Sequence, residues 1–203
     1  AIEAEKVGVI STEVGAFAAQ CAADLAAAEP AIAAATEALN SLDKGSLTEL
    51  KGMTSPAPIV LAVCNCVQFM TAPAGTLKKV KTAWAEAKKM MGSVDQFLQM
   101  LLNFDKDNLP LDNKAAVRKI TGSPEAPNPD FNYAAVKRVS LAAAGLADFV
   151  LNILVYHDIY LDVAPKRQLL EEAEEKLNAA NKKLAAVNEN VAQLNACKAA
   201  LQN

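Results

Sequence analysis

Two stretches of the chain place apolar residues at alternating steps of three and four. Near the C-terminus these are Leu170, Ala173, Leu177, Ala180, Leu184, Val187, Val191 and Leu194. Near the N-terminus they are Val7, Ile10, Val14, Phe17 and Cys21, followed by Leu25, Ala28, Ile32, Ala35, Leu39 and Leu42. This spacing is typical of the buried seam of a coiled coil, in which each helix needs a partner. Because the stretches lie at opposite ends of one chain, they predict an antiparallel helix pair.

The length and regularity of this helix pair can be estimated from the same pattern. Each stretch covers about forty residues, which corresponds to a helix of about 60 Å. The step of four from Cys21 to Leu25 follows another step of four, and such a shift locally unwinds a supercoil. Pro30 and Pro165 are expected to interrupt the two helices, and Pro165 to kink the second one. The sequence leaves the register of the pair open.

The residues between the two stretches predict short helices separated by turns. Helices are expected at a capping box from Ser46 to Glu49, from Ile59 to Met70, from Val80 to Met91, from Ser93 to Phe104, at residues 111–120, and from Asp130 or Asn132 to about Asp162. Turns are expected at Ser55 to Pro58, Pro73 to Gly75, Asp105 to Pro110 and the proline cluster Pro124 to Pro129. No strand-like alternation occurs. The predicted fold class is all-α, an antiparallel two-helix coiled coil capped by a small bundle of about six short helices.

The composition agrees with thin helical packing. Hydrophobic residues make up 52% of the chain but aromatic residues only 5%, and much of the apolar content is alanine. Alanine is the best helix former and buries little area per residue. No apolar run reaches about 18 residues, and the first residues, Ala-Ile-Glu-Ala-Glu-Lys, lack the features of a leader peptide. We therefore expect a soluble protein without a membrane partner.

Basic side chains cluster in the middle of the chain, although the net charge is −3. The clusters are Lys78, Lys79, Lys81, Lys88 and Lys89, and then Lys114, Arg118, Lys119, Lys137 and Arg138. For a single lysine, a solvent-exposed position is the simpler interpretation. Lys137 and Arg138 differ because they follow the proline cluster and open an apolar helix. Local basic patches on an acidic chain indicate an acidic protein surface as the partner, whereas nucleic acid usually binds a basic domain.

The sequence predicts no catalytic residue, metal or cofactor. It contains no glycine-rich phosphate-binding motif. His157 is the one histidine and is expected to be an ordinary helix residue, and Cys64-Asn-Cys66 lacks the second pair of ligands that a metal site needs. The four cysteines are expected to be reduced thiols. A disulfide between Cys21 and Cys197 stays open as an alternative if the two ends of the chain pair.

Seven segments stand out by their sequence and order. They are Glu29 to Leu42 (EPAIAAATEALNSL), Leu47 to Lys51 with Ser55-Pro56 after it, Trp84 to Lys88 (WAEAK), Phe97 to Lys106 (FLQMLLNFDK), Asn128 to Tyr133 (NPDFNY), Ser140 to Leu146 (SLAAAGL) and Val163 to Arg167 (VAPKR). In this order they resemble the stalk and microtubule-binding domain of dynein heavy chains over essentially the whole chain. The amino-acid sequence of these segments is most similar to that of an axonemal heavy chain of the outer-arm beta-like group.

The resemblance implies a division of the chain and a function. Residues 1–45 would form the first stalk helix, residues 46–163 the microtubule-binding tip, and residues 164–203 the second stalk helix. The ATPase ring would lie outside the chain, so no enzyme activity is expected of it. The implied location is the cytoplasm and cytoskeleton, in the axoneme of a cilium or flagellum. The implied partner is α/β-tubulin, and an axonemal dynein light chain at the tip is left open.

The resemblance also implies binding residues and a mechanism. The positions similar to those that touch tubulin are Lys44, Lys51, Arg118, Lys119 and Arg138. Lys137, next to Arg138, is also predicted as a binding residue, although the family can carry a neutral residue at its position. The two stalk helices would slide by about half a heptad to change the affinity of the tip. Two other functions stay open on sequence grounds. One is a coiled-coil scaffold whose helical tip docks a protein other than tubulin, and the other is an enzyme that uses cysteine or histidine chemistry.

Overall fold

A computed structural model describes the backbone of residues 2–201 and the side chains of Glu5 and of residues 7–198. The α-helices are α1 (Ile2–Ala26), α2 (Glu29–Asn40), α3 (Lys44–Gly52), α4 (Pro58–Thr71), α5 (Trp84–Met90), α6 (Val94–Leu102), α7 (Leu111–Thr121), α8 (Tyr133–Lys137) and α9 (Leu141–Leu201), with a short 3-10 helix at Leu77–Lys79. Within the described residues the only β contact is an isolated bridge between Gly122 and Pro127. The predicted all-α class is confirmed. The chain forms two compact units, Ala1–Ala27 with Leu161–Asn203, and Ala28–Tyr160.

The first unit is the predicted antiparallel coiled coil of α1 with the C-terminal part of α9. Lys166 Nζ lies 2.5 Å from Asp24 Oδ2. The half-buried side chains between residues 167 and 186 are those of Leu170, Ala173, Leu177, Ala180 and Leu184, which are the predicted seam positions. Helix α1 ends two residues after Asp24, at Ala26. The seam residues that follow Lys166 must therefore be covered by the residues of α1 that precede Asp24. The two helices therefore run antiparallel.

The Asp24–Lys166 contact defines the register of this pair. Counting away from it along both helices, we infer that Cys21 lies opposite Leu170, Phe17 opposite Ala173 and Val14 opposite Leu177, and all six side chains are buried or half-buried. Cys197 lies about 40 Å farther along the helix than Leu170. A disulfide between Cys21 and Cys197 is therefore ruled out, and both are free cysteines.

Three features of the coiled coil differ from the prediction. The last seam residues, Val187, Val191 and Leu194, are 46%, 49% and 70% exposed, so the described residues do not bury this end of the predicted seam. The first long helix divides into α1 and α2, and Pro30 lies in the first turn of α2, where no N–H donor is needed. Pro165, in contrast, does not interrupt α9, since Val163 is buried and Lys166 is paired on either side of it.

The core of the second unit forms around α4 and the first turns of α9. The predicted central helix from Ile59 to Met70 is confirmed as α4, which packs against α5 and α7. Small residues allow the start of α9 to approach α2 closely. A Cβ at Gly145 would lie 2.6 Å from Cδ2 of Leu42 and 3.3 Å from the carbonyl oxygen of Ala38. A larger residue at position 145 would therefore require the Leu42 side chain to shift.

Several helix boundaries in the second unit also differ from the prediction. Helix α3 begins at Lys44 and not at Ser46, because Asp43 Oδ1 accepts a hydrogen bond from the Ser46 N–H at 2.6 Å. The segment before Trp84 is the 3-10 helix and an extended stretch. The long helix expected from Asn132 is two helices, since Ser140 Oγ accepts from the Ala143 N–H at 3.2 Å and starts α9 anew.

By length and composition, one helix in the described part could span a membrane. An 18-residue window within Leu141–Lys198 has a mean hydropathy of 1.3. Of this window, 67% is buried inside the protein, as is usual for a core helix.

Candidate functional site

The six basic residues predicted as binding residues all lie in the second unit, on α3, α7 and α8. On α3, Lys44 is the first residue and Lys51 lies in the last turn. Lys44 Nζ is 2.8 Å from Asp95 Oδ1 of α6, and both side chains are mostly exposed. Lys51 Nζ donates to the carbonyl oxygen of Gly92 at 2.8 Å. Both ends of α3 are thus connected to the start of α6 through lysines at the surface.

The two basic residues of α7 have different environments. Arg118 forms an ion pair with Asp158 of α9, and its side chain is only 20% exposed. Lys114 contacts the same carboxylate at 2.6 Å and is 12% exposed. Lys119 points outward and is exposed. Arg118 therefore connects α7 to α9 inside the second unit, and Lys119 is the free surface cation of this helix.

Lys137 and Arg138 lie at the end of the short helix α8 and not in the opening turns of a long helix. Both are exposed. Lys137 Nζ is 5.4 Å from the centroid of the Tyr133 ring. Arg138 lines a groove of about 540 Å³ together with Pro58 and Asp130. This groove connects the end of α8 with the first turn of α4.

The proline cluster fixes where α8 begins. The Asn128 N–H donates to the carbonyl oxygen of Thr121 at 2.9 Å, and its side-chain amide donates to the Ile120 carbonyl oxygen at 2.9 Å. Gly122 has φ of 81°, and a Cβ there would lie 2.4 Å from the carbonyl oxygen of Ala126. The chain can therefore fold back on the end of α7 only with glycine at that position. Asn132 then caps α8 through a 2.9 Å hydrogen bond from the Ala135 N–H.

Sequence reasoning missed a polar cluster on α9. Asp158 pairs with both cations of α7, and the hydroxyl of Tyr156 donates to Asp107. Lys106 Nζ lies 5.4 Å from the centroid of the Tyr156 ring. His157 is 1% exposed, and burial lowers its pKa. The sequence contains one indication of this cluster. Lys114 and Arg118 are four residues apart, so they share one face of a helix and can bind the same carboxylate.

Two observations concern metal binding and thiol chemistry in the described part of the chain. No group of three or more histidine, cysteine, aspartate or glutamate side chains in that part could hold a metal ion. Burial raises the pKa of the Cys64 thiol to about 12 and places the pKa of Cys66 well above its usual range. Neither thiol would form the thiolate that nucleophilic chemistry requires.

Comparison with known proteins identifies the family. The family model for the microtubule-binding stalk of the dynein motor matches residues 1–203. The chain is 42% identical to the ciliary dynein beta chain of Tripneustes gratilla over 87% of its length, and 45% identical to human dynein axonemal heavy chain 17 over 86%. It is 44% identical to the dynein beta chain of the flagellar outer arm of Chlamydomonas reinhardtii, also over 86%.

The matched region corresponds to 4% of the length of each of these relatives. The resemblance to axonemal dynein heavy chains predicted from the seven segments is confirmed. The matching family is a stalk domain, which is not the ATPase part of the motor. The chain belongs to the family of microtubule-binding stalks of dynein motors.

Proposed function

We propose that this chain is the tip and stalk with which an axonemal dynein motor binds the groove between α- and β-tubulin. The observation that carries the proposal is the family match over residues 1–203. The relatives are named as ciliary, axonemal and flagellar dyneins, which supports a location in the axonemal cytoskeleton of a cilium or flagellum. A light chain at the tip stays a prediction, as does the expected lack of nucleic-acid and membrane partners.

The proposed binding face consists of the surface cations on α3 and α8. Lys44, Lys137 and Arg138 are exposed, and Lys51 is half-buried. Basic side chains of this kind attract an acidic partner and accelerate association, and salt weakens the attraction. Lys119 is a further proposed contact. For Arg118 we propose an indirect role, because its charge is already paired with Asp158 and it keeps α7 in place.

The groove beside Arg138 supports a specific contact. The guanidinium group can bind a carboxylate through two parallel hydrogen bonds, a geometry that lysine cannot match. Asp130 lines the same groove, and its carboxylate would repel an acidic side chain that enters the groove without reaching Arg138. We therefore propose that Arg138 binds an acidic side chain of tubulin.

We further propose that the register of the coiled coil sets the affinity of the tip. A slide of α1 by one helical turn would move Asp24 from Lys166 to a position opposite either Asp162 or Leu170. The slide to Asp162 brings two carboxylates together. Either slide breaks the ion pair between Asp24 and Lys166. Both side chains of the pair are partly exposed, so solvent screens their attraction and the loss of the pair costs little. Registers that differ by so little can act as the two states of a switch that coupling requires.

Co-sedimentation with microtubules at low and high salt tests the proposed binding. The chain should pellet at low salt and release as salt increases. Arg138→Glu should weaken binding about tenfold, or about 1.4 kcal/mol. The matched control is Lys176→Glu, which reverses an exposed charge on α9 outside the proposed face. Failure to pellet even at low salt would favour the alternative of a scaffold that docks another protein.

A further inference from the structure

A second basic surface lies around the 3-10 helix Leu77–Lys79. A groove of about 510 Å³ is lined by Lys79, Lys81, Lys89 and Glu86, among other residues. A neighbouring groove of about 440 Å³ is lined by Lys78, Lys119 and Asp112, among others. We call this surface the 3-10 face and define it by Lys78, Lys79, Lys81 and Lys89. All four lysines are exposed.

The positive charge of the 3-10 face is largely uncompensated. Lys89 Nζ is 2.9 Å from Glu86 Oε1, and this contact lowers the pKa of Glu86. Within the described residues, Lys78, Lys79 and Lys81 form no ion pair at 4.0 Å or less. An excess of cations along two adjacent grooves suits a partner that carries several negative charges.

The backbone that carries these lysines is fixed by hydrogen bonds. The side-chain amide of Asn113, which is fully buried, donates to the Ala72 carbonyl oxygen at 2.6 Å. Thr76 Oγ1 donates to the Pro73 carbonyl oxygen at 2.6 Å, and the Lys79 N–H donates to the Thr76 carbonyl oxygen at 2.8 Å. Gly75 has φ of 75°, a conformation that closes the turn before the 3-10 helix. The surface is therefore preorganised, which reduces the entropy lost on binding.

We propose that the 3-10 face is a second docking site, separate from the α3 and α8 face, that binds an extended acidic peptide segment of a partner protein. Carboxylates along such a segment can contact the lysines of both grooves. A nucleic acid fits less well, because neither groove is lined by an aromatic residue on which a base could stack. Glu86 and Asp112 would also repel closely spaced phosphates, and the chain is acidic overall.

Fluorescence anisotropy with a labelled oligoglutamate peptide tests this proposal on the 203-residue chain without microtubules. The peptide should bind at low salt and dissociate as salt increases. The double variant Lys79→Glu with Lys81→Glu should weaken binding at least about tenfold, since each reversal replaces an attraction by a repulsion. The matched control is Lys182→Glu with Lys183→Glu, which reverses two exposed charges on α9 and should bind as the unchanged chain does.

Three outcomes would contradict the proposal. They are equal binding of an oligoglutamine peptide, equal weakening by the two double variants, and absence of oligoglutamate binding at low salt. Tighter binding of a single-stranded oligonucleotide than of oligoglutamate would indicate a nucleic-acid surface instead. Because the assay contains no tubulin, its failure is distinguishable from failure of microtubule pelleting.

Discussion

At the scale of single residues, Asp158 links α7 to α9 through two ion pairs. Its carboxylate faces Lys114 and Arg118, which are 12% and 20% exposed. The sequence predicts that these two cations share a helix face, since they are four residues apart. It does not predict their partner, because a contact across 40 residues depends on how α7 and α9 pack. For this reason Arg118 was expected at the surface, and instead most of its side chain is buried.

The Asp158 ion pairs give a prediction for stability. Asp158→Asn leaves two mostly buried cations without a counter-charge and should lower the free energy of unfolding by about 2 kcal/mol. This is less than for a fully buried pair, because the Asp158 side chain is 35% exposed. Urea unfolding monitored by circular dichroism measures the change. Asp95→Asn, which removes the partner of exposed Lys44, should change stability by less than about 1 kcal/mol. Equal losses in the two variants would contradict this account.

His157 gives a prediction for the pH dependence of stability. Burial lowers its pKa from the ordinary value of 6.5, and nearby Lys114 adds to the effect. The unfolded chain therefore takes up a proton as the pH falls through about 6.5, while the folded chain does so only at lower pH. The free energy of unfolding should decrease as the pH is lowered below about 6.5.

The matched variant for this test is His157→Gln, which removes the titrating group. Its free energy of unfolding should depend less on pH between about 7 and 5 than that of the unchanged chain. The carboxylates of Asp24, Asp43 and Asp105 have lowered pKa values and so act at more acidic pH. Identical pH profiles of the two proteins would show that His157 does not contribute.

At the scale of elements, the spacing of apolar residues predicts which positions form the seam of the coiled coil, but it does not predict the register of the two helices. Alanine at several seam positions specifies register weakly, and the observed offset depends on the Asp24–Lys166 contact. The effect of the two prolines on their helices could not be predicted from the sequence either. Pro30 starts a helix and Pro165 lies inside one, and only the packing around each residue distinguishes the two cases.

A single substitution can test the register. In a Cys197→Ser background, Leu170→Cys should form a disulfide with Cys21 under mild oxidation, because this register sets the two positions opposite each other. Ala173→Cys, about half a heptad away, should form the disulfide much more slowly. Gel mobility without reductant measures both. Faster formation with Ala173→Cys would indicate that a shifted register predominates.

At the scale of the whole molecule, the seven segments that resemble dynein stalks predicted the family and the helical fold. The binding residues are less determined by sequence. Surface exposure supports a role for Lys44, Lys137 and Arg138, whereas the internal ion pair of Arg118 could not be deduced from spacing. In the sequence the 3-10 face is only a lysine cluster. Its two grooves depend on the fold, because one lies beside α4 and α5 and the other between the 3-10 helix and α7.

The most direct test of the central claim is a cryo-EM reconstruction of microtubules decorated with this chain. The account predicts that the density of α3 and α8 contacts the groove between α- and β-tubulin, with Arg138 at the interface. It also predicts that the 3-10 face is not the main contact in that groove. Attachment through α7 or the 3-10 face, with α3 and α8 turned away from tubulin, would contradict the account.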